Sequence, residues 1–200
     1  PALVTAAKSI KVGRTDVETQ PNMGPLITGP HRDRVAQLIE AGAKEGAKIA
    51  TDGRAVKVDG APNGFFLGAT ILDEVREGMT VAKEEIFGPV LSVVRAKDHE
   101  EAVRLPSEHE YGNGVAIFTR DGDAARDFVN RVQVGMVGVN FAIPVPLAYH
   151  TFGGWKRSGF GDLNQHGSDS IRFYTKTKTV TSRWPTGTKE GAEFVIPTMK

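Results

Sequence analysis

Near the middle of the chain stand Glu84-Glu85-Ile86-Phe87-Gly88-Pro89, an acidic pair and an apolar pair followed by a Gly-Pro turn. The apolar run over residues 90–95 comes next and predicts a strand. One interpretation is structural, a solvated acidic pair and a turn that lead into this strand. The other is functional, because a carboxylate suits the two neighbouring hydroxyls of a ribose and an aromatic ring suits a flat nicotinamide. The stretch by itself leaves both open.

Strand and helix patterns alternate on both sides of this stretch. Pro30 suits the first turn of a helix, and Val35 and Ile39 then fall on one apolar face. A capping pattern at Asp98 predicts another helix, which Pro106 should end early. Strands are predicted over residues 48–51, 65–72, 90–95, 115–119 and 136–140, with a further helix over 125–132. The alternation predicts an α/β fold with a mostly parallel sheet.

The pattern changes after residue 140. Two prolines in Ile143-Pro144-Val145-Pro146 exclude a central strand, because proline donates no ladder hydrogen bond. Residues 152–161 hold four glycines and are predicted to form a loop. Residues 171–184 alternate β-branched or aromatic residues with polar ones, which predicts a long exposed strand. Such a strand needs a partner edge, often on another subunit.

Charge and composition exclude several function classes. The 25 basic and 24 acidic side chains nearly cancel and form no nucleic-acid patch. No apolar run approaches the roughly 20 residues of a membrane span, and the start of the chain does not resemble a signal peptide. The histidines lack metal-ligand spacing, so we predict no metal site and interpret each as an ordinary surface or loop residue. They are His31, His99, His109, His150 and His166. The chain has no cysteine, which excludes disulfides and thiol nucleophiles within it.

In this order and spacing, four groups of residues resemble the aldehyde dehydrogenase superfamily. They are Gly24-Pro25-Leu26-Ile27, the 84–89 stretch, Tyr111-Gly112 with Ile117-Phe118-Thr119, and Phe152-Gly153-Gly154 with Lys156 and Ser158-Gly159. The resemblance covers nearly the whole chain. The 143–146 loop, Trp155 and residues 173–184 are most similar to the coenzyme-A-acylating branch that acts on methylmalonate semialdehyde.

The resemblance implies a mechanism for a complete enzyme. In the acylating branch a cysteine thiolate attacks the semialdehyde, a hydride passes to NAD, and the acyl group passes to coenzyme A instead of water, with loss of CO2. By resemblance, Glu85 holds the nicotinamide-side ribose and Phe87 packs near the nicotinamide. Phe152 lies near the aldehyde tunnel, with Ile143 and Pro144 as further pocket residues. The family's cysteine would lie just before the position that matches Pro1, so we predict no catalytic residue here and no activity for this piece alone.

The same resemblance implies the organisation of the chain. Residues 1–150 would form an incomplete aldehyde-dehydrogenase-type catalytic α/β domain, and 151–173 a glycine-rich loop and connector. Residues 174–185 would be an oligomerisation strand that joins a dimer or tetramer, and 186–200 a tail. The compartment would be the cytoplasm, or the mitochondrial matrix in a eukaryote. Two alternatives stay open: a non-enzymatic, oligomerising short homologue, and a piece of a hydrolytic aldehyde dehydrogenase.

Overall fold

The chain divides after Glu101 into two units, Pro1–Glu101 and Ala102–Lys200. The computed structural model describes residues 1–17, 20–182 and 184. Both units combine helices with short strands, as the α/β prediction requires. No helix among these residues is long and apolar enough to cross a membrane.

The first unit builds a three-stranded sheet in the order β1-β2-β3. Strand β2 pairs antiparallel with β1 and parallel with β3, with Thr70 opposite Val90. In chain order the elements are α1 Ala2–Ser9, α2 Gly29–Lys44, β1 Lys48–Thr51, β2 Thr70–Val75, α3 Thr80–Lys83 and β3 Val90–Val94. Helix α4, His99–Glu108, begins in this unit and continues into the next.

Helix α2 anchors the core of the first unit. Thr28 caps its start by accepting a hydrogen bond from the backbone N–H of His31 at 3.3 Å, and Pro30 lies in its first turn as predicted. Gly46 follows its end with φ +106°, a conformation that favours glycine. Val35 and Ile39 are fully buried against the sheet, where each stabilises the fold by roughly 1.5–3 kcal/mol.

The second unit contains a strand–helix–strand motif. Strands β5 and β6 pair in parallel and flank helix α5, which Asp121 caps by accepting from the N–H groups of Asp123 and Ala124. A separate short pair, β4 and β7, is antiparallel. The elements are β4 Tyr111–Gly112, β5 Gly114–Ile117, α5 Gly122–Arg131, β6 Met136–Val139, β7 Trp155–Lys156, the 3-10 turn Gly167–Asp169 and α6 Ser170–Tyr174. Its buried core is Val103, Phe128, Val132 and Val134.

The structure corrects details of the predicted elements. Among residues 1–17, 20–182 and 184, two of the four strand pairings are parallel and two antiparallel, and the β1-β2-β3 sheet combines both directions. Pro106 lies inside α4 and does not end it. Ser107 donates its hydroxyl to Val103 O at 2.6 Å, and the Lys156 ammonium donates to the carbonyls of Pro106 and Ser107 at 3.0 Å each. These contacts stabilise the carbonyl end of the helix beyond the proline.

The predicted C-terminal strand is wrong in its first part. Residues 171–174 belong to helix α6, and Thr175 Oγ1 donates to Ile171 O at 2.6 Å across its last turn. The backbone becomes extended at Thr175, and residues 175–182 are exposed. They pair with no strand in the part of the chain that the structure describes. Residue 183 and residues 185–200, which include the predicted tail, lie outside the described residues.

Candidate functional site

The stretch over residues 84–88 forms a loop between α3 and β3, and helix α2 holds its main chain. The Arg34 guanidinium donates to the carbonyls of Glu85 at 3.2 and 3.3 Å and of Ile86 at 3.2 Å. His31 Nε2 lies 2.7 Å from the carbonyl oxygen of Phe87, so this nitrogen must carry the proton that is donated. Two side chains of one helix therefore fix three consecutive peptide groups.

The two side chains predicted to bind the cofactor remain available on this loop. The Glu85 carboxylate is exposed and forms no hydrogen bond or ion pair with the described residues. The Phe87 ring is 77% exposed, and its residue has φ +56°, a conformation that is uncommon for a bulky side chain. The loop thus combines a hydrogen-bonded main chain with a free carboxylate and an exposed ring that the His31 ring meets edge-on, groups whose chemistry suits the hydroxyls of a ribose and the face of a nicotinamide.

Helix α2 also contacts the loop sterically. A Cβ added to Gly88 would lie 2.8 Å from both methyl groups of Val35, which is fully buried. His31, Arg34 and Val35 occupy positions i, i+3 and i+4 and so share one helix face. Sequence reasoning gave His31 only an ordinary surface role and gave Arg34 no role. Their spacing directly after Pro30 was the available signal, but it did not show which loop this face meets.

In the second unit, the end of β6 is pinned before the proline loop. Asn140 has φ +55°, its Oδ1 accepts from Thr119 N at 2.9 Å, and its Nδ2 donates to Thr119 O at 3.0 Å. Pro144 is half-buried and packs close to Gly114 and Gly138, where an added Cβ would lie 3.2 and 3.3 Å from its ring atoms. Ile143 is 69% exposed. The loop thus presents one anchored proline and one free apolar side chain.

Phe152 lies in a separate part of the second unit. Its ring is half-buried and stacks on His166, with centroids 4.4 Å apart and planes 22° from parallel. Thr151 Oγ1 donates to the carbonyl of His166 at 3.2 Å, which fastens the same two segments together. The predicted site residues therefore fall in both units, Glu85 and Phe87 in the first and Ile143, Pro144 and Phe152 in the second. Within the described ranges, no cluster of acidic residues and histidines could hold a metal ion.

Comparison with known proteins agrees with the residue pattern. The model of the aldehyde dehydrogenase family matches residues 1–180. The chain belongs to this family. A malonate-semialdehyde dehydrogenase of Pseudomonas aeruginosa is 50% identical over 198 residues, which cover 98% of this chain and 40% of that relative. A methylmalonate-semialdehyde/malonate-semialdehyde dehydrogenase [acylating] of rat mitochondria is 47% identical over 201 residues, 100% of this chain and 37% of the relative.

A solved structure shows the same fold. A protein of Sinorhizobium meliloti 1021, crystallised in complex with NAD, is 58% identical with a TM-score of 0.86, covering 92% of this chain and 38% of its own. The aldehyde-dehydrogenase-type fold predicted from the sequence is thus confirmed for the part of the fold that this chain covers. The chain spans about 37–40% of the length of the Pseudomonas and rat relatives.

Proposed function

We propose that this chain is a portion of an NAD-dependent, coenzyme-A-acylating dehydrogenase of malonate or methylmalonate semialdehyde, and that it forms one wall of the NAD site. The observation that carries the proposal is the loop over residues 84–88, in which the main chain is held by α2 while the Glu85 carboxylate stays free. The names of the Pseudomonas and rat relatives support the substrate class and, for the rat enzyme, the acylating reaction.

The residues of this chain position the cofactor. When bound, NAD supplies the acceptor for the hydride of the substrate. The Glu85 carboxylate accepts hydrogen bonds from the ribose hydroxyls, and each such charge-assisted bond contributes about 1.5–3 kcal/mol. The exposed Phe87 ring covers one side of the nicotinamide and excludes water from it. Both effects restrict the cofactor to the geometry in which the hydride can move.

The nucleophile of the reaction comes from outside this chain. In the proposed reaction a cysteine thiolate attacks the aldehyde, and these 200 residues contain no cysteine. The Pseudomonas and rat relatives are more than twice as long as the matched region, which leaves room for that group elsewhere in a complete enzyme. Coenzyme A enters as the co-substrate that takes the acyl group.

The second unit contributes to the substrate pocket and to assembly in this proposal. Ile143, Pro144 and Phe152 form apolar parts of the aldehyde pocket, consistent with the anchored loop and the stacked ring. Residues 174–185 join the edge of a neighbouring subunit in a dimer or tetramer, since helix α6 ends before the extended residue Thr175 and residues 175–182 are exposed. The compartment is the cytoplasm, or the mitochondrial matrix in a eukaryotic source.

Glu85→Gln in the complete enzyme tests the proposal. The amide keeps the volume of the side chain but loses its charge, so the ribose is held more loosely. We expect the hydride step to slow by up to roughly 10²-fold, the effect of a misplacement of about 1 Å. Stopped-flow absorbance of NADH in a single turnover measures this step directly.

The matched control is Asp59→Asn, which makes the same carboxylate-to-amide change at an exposed position in the same unit. It should leave the hydride step at the wild-type rate. If Glu85→Gln also reacts at the wild-type rate with unchanged NAD affinity, Glu85 does not hold the ribose and the proposal fails.

A further inference from the structure

We propose that Arg34 is a positioning residue for the cofactor, acting through the main chain that carries Glu85. This inference rests on the proposed function, because Arg34 does not contact NAD and acts only through Glu85, which is proposed to bind the ribose. Its task is to hold the peptide groups around Glu85 in one arrangement, so that the free carboxylate meets the ribose without first being ordered. In preorganised sites of this kind, affinity is lost when the support is removed even though every contact with the ligand remains.

The contacts of Arg34 are concentrated on this loop. One terminal nitrogen donates to the carbonyls of Glu85 and Ile86, each at 3.2 Å. The other donates to the Glu85 carbonyl at 3.3 Å and pairs with the Glu84 carboxylate at 3.4 Å. A guanidinium has several donors in a fixed plane and can serve three neighbouring residues at once, whereas a lysine ammonium acts as a compact point charge.

At the centre of the loop the Ile86 side chain is buried in the core, and the hydrogen bonds to the main chain come from helix α2. The ends of the loop are tied by Glu84 N, which donates to Thr80 O at 2.8 Å, and by Val90 N, which donates to Gly88 O at 2.7 Å. Between them, the carbonyls of residues 85–87 accept hydrogen bonds only from Arg34 and His31 among the residues that the structure describes. His31 holds the Phe87 carbonyl, so the two peptide oxygens nearest the proposed ribose contact depend on Arg34.

Helix α2 provides a matched control two residues earlier. Arg32 is exposed to a similar degree, but its guanidinium pairs with the adjacent Asp33 and not with the loop. Arg32→Met therefore removes a charge and an ion pair from the same helix without touching residues 84–88. Any effect of Arg34→Met that Arg32→Met lacks belongs to the loop contacts.

The experiment compares Arg34→Met, Arg34→Lys and Arg32→Met in the complete enzyme. We expect Arg34→Met to raise the KM for NAD and the Kd for NADH by about tenfold. This is less than the roughly 10²-fold cost of a 1 Å misplacement, because the guanidinium is half-exposed and His31 stays in place. The KM for the semialdehyde should not change. Arg34→Lys should recover part of the loss, and Arg32→Met should behave as wild type.

A double mutant separates positioning from a merely structural role. Because Arg34 acts through Glu85, Arg34→Met should weaken NADH binding much less in a Glu85→Gln background than in the wild type. Additive effects of the two changes overturn the inference, as does an unchanged Kd for NADH in Arg34→Met. If Arg34→Met does not fold, Arg34→Lys supplies the same test. The two proposals fail separately. If Glu85→Gln changes neither the hydride step nor the affinity for NAD, the role of Glu85 is wrong. If Glu85→Gln slows the hydride step but Arg34→Met leaves the Kd for NADH unchanged, only the role of Arg34 is wrong.

Discussion

Gly88 lies where the loop over residues 84–88 contacts helix α2, and a side chain larger than its hydrogen atom would meet Val35. An added Cβ would lie 2.8 Å from two methyl groups of Val35, and Val35 cannot move aside because it is fully buried in the core. We expect Gly88→Ala to destabilise the protein by about 1–3 kcal/mol, the usual cost of overpacking. Urea unfolding of the complete enzyme measures the change.

Gly78→Ala is the control for this prediction, because nothing lies within 4 Å of the Cβ that it adds. It should leave the free energy of unfolding nearly unchanged. The double variant Val35→Ala/Gly88→Ala removes the obstructing methyl groups, so its loss should be smaller than the sum of the two single losses. Strict additivity would show that the two side chains do not meet.

The sequence offered candidates for binding the cofactor but not the side chains that hold their loop. Glu85 and Phe87 were proposed because their chemistry suits a ribose and a nicotinamide and because their stretch resembles a known family. His31 and Arg34 act on carbonyl oxygens 51–56 residues away, and no pattern in the sequence gives the register between a helix face and a distant loop. Only the fold brings a backbone oxygen to a particular side chain.

Among the elements, helix α3 depends on a carboxylate from outside it. Glu45 accepts a hydrogen bond from the Thr80 backbone N–H at 2.6 Å and one from its hydroxyl at 2.5 Å, at the start of α3. The hydroxyl and then the backbone bond of Thr80 lower the pKa of Glu45 below its usual value. A lowered pKa in the folded state means that the bonds stabilise the fold fully above the unfolded pKa of about 4.3, and this stabilisation is lost as the pH falls through the lower pKa of the folded state.

We therefore expect Glu45→Gln to lower the Tm of the complete enzyme at pH 7, with a difference that shrinks as the pH falls below about 4. Thermal unfolding of the variant and the wild type from pH 7 to pH 3.5 measures the difference. Asp59→Asn should give no comparable pH-dependent difference, because its carboxylate accepts no hydrogen bond within the described chain. A Glu45→Gln difference that is constant over this range would contradict the role of the charged form.

Element prediction succeeded where local signals agreed and failed where a distant partner decided. Helix α2 had Pro30 in its first turn, a regular apolar face and Gly46 after its end, and it formed as predicted. Helix α4 continues past Pro106, where the Lys156 ammonium donates hydrogen bonds to the carbonyls of Pro106 and Ser107. Lys156 lies 50 and 49 residues further along the chain. Residues 65–69 were predicted as strand but lie outside β2, with the Phe65 carbonyl accepting from Leu26 N at 2.9 Å.

For the whole molecule, two facts limit what this chain can do. It contains no cysteine, and it spans about 37–40% of the length of the Pseudomonas and rat relatives. In the proposed function, the residues of this chain that face the cofactor and the substrate bind or orient them, and none of these residues attacks a carbonyl. Positioning raises the rate only when the nucleophile, the substrate and the cofactor are all present. This chain and the polypeptide that carries the nucleophile should therefore each be inactive until they are combined.

We therefore expect the 200-residue chain to produce no NADH from malonate or methylmalonate semialdehyde, with or without coenzyme A. Absorbance at the NADH band measures turnover, and the complete enzyme, in which we expect NADH formation with coenzyme A present, is the positive control. Adding the missing portion of the enzyme as a separate polypeptide tests the same idea in the other direction. Activity should then appear only in the mixture, and Glu85→Gln in this chain should reduce it. NADH formation by this chain alone, at a rate proportional to its concentration, would mean that a nucleophile other than a thiolate works here and would overturn the proposed division of roles.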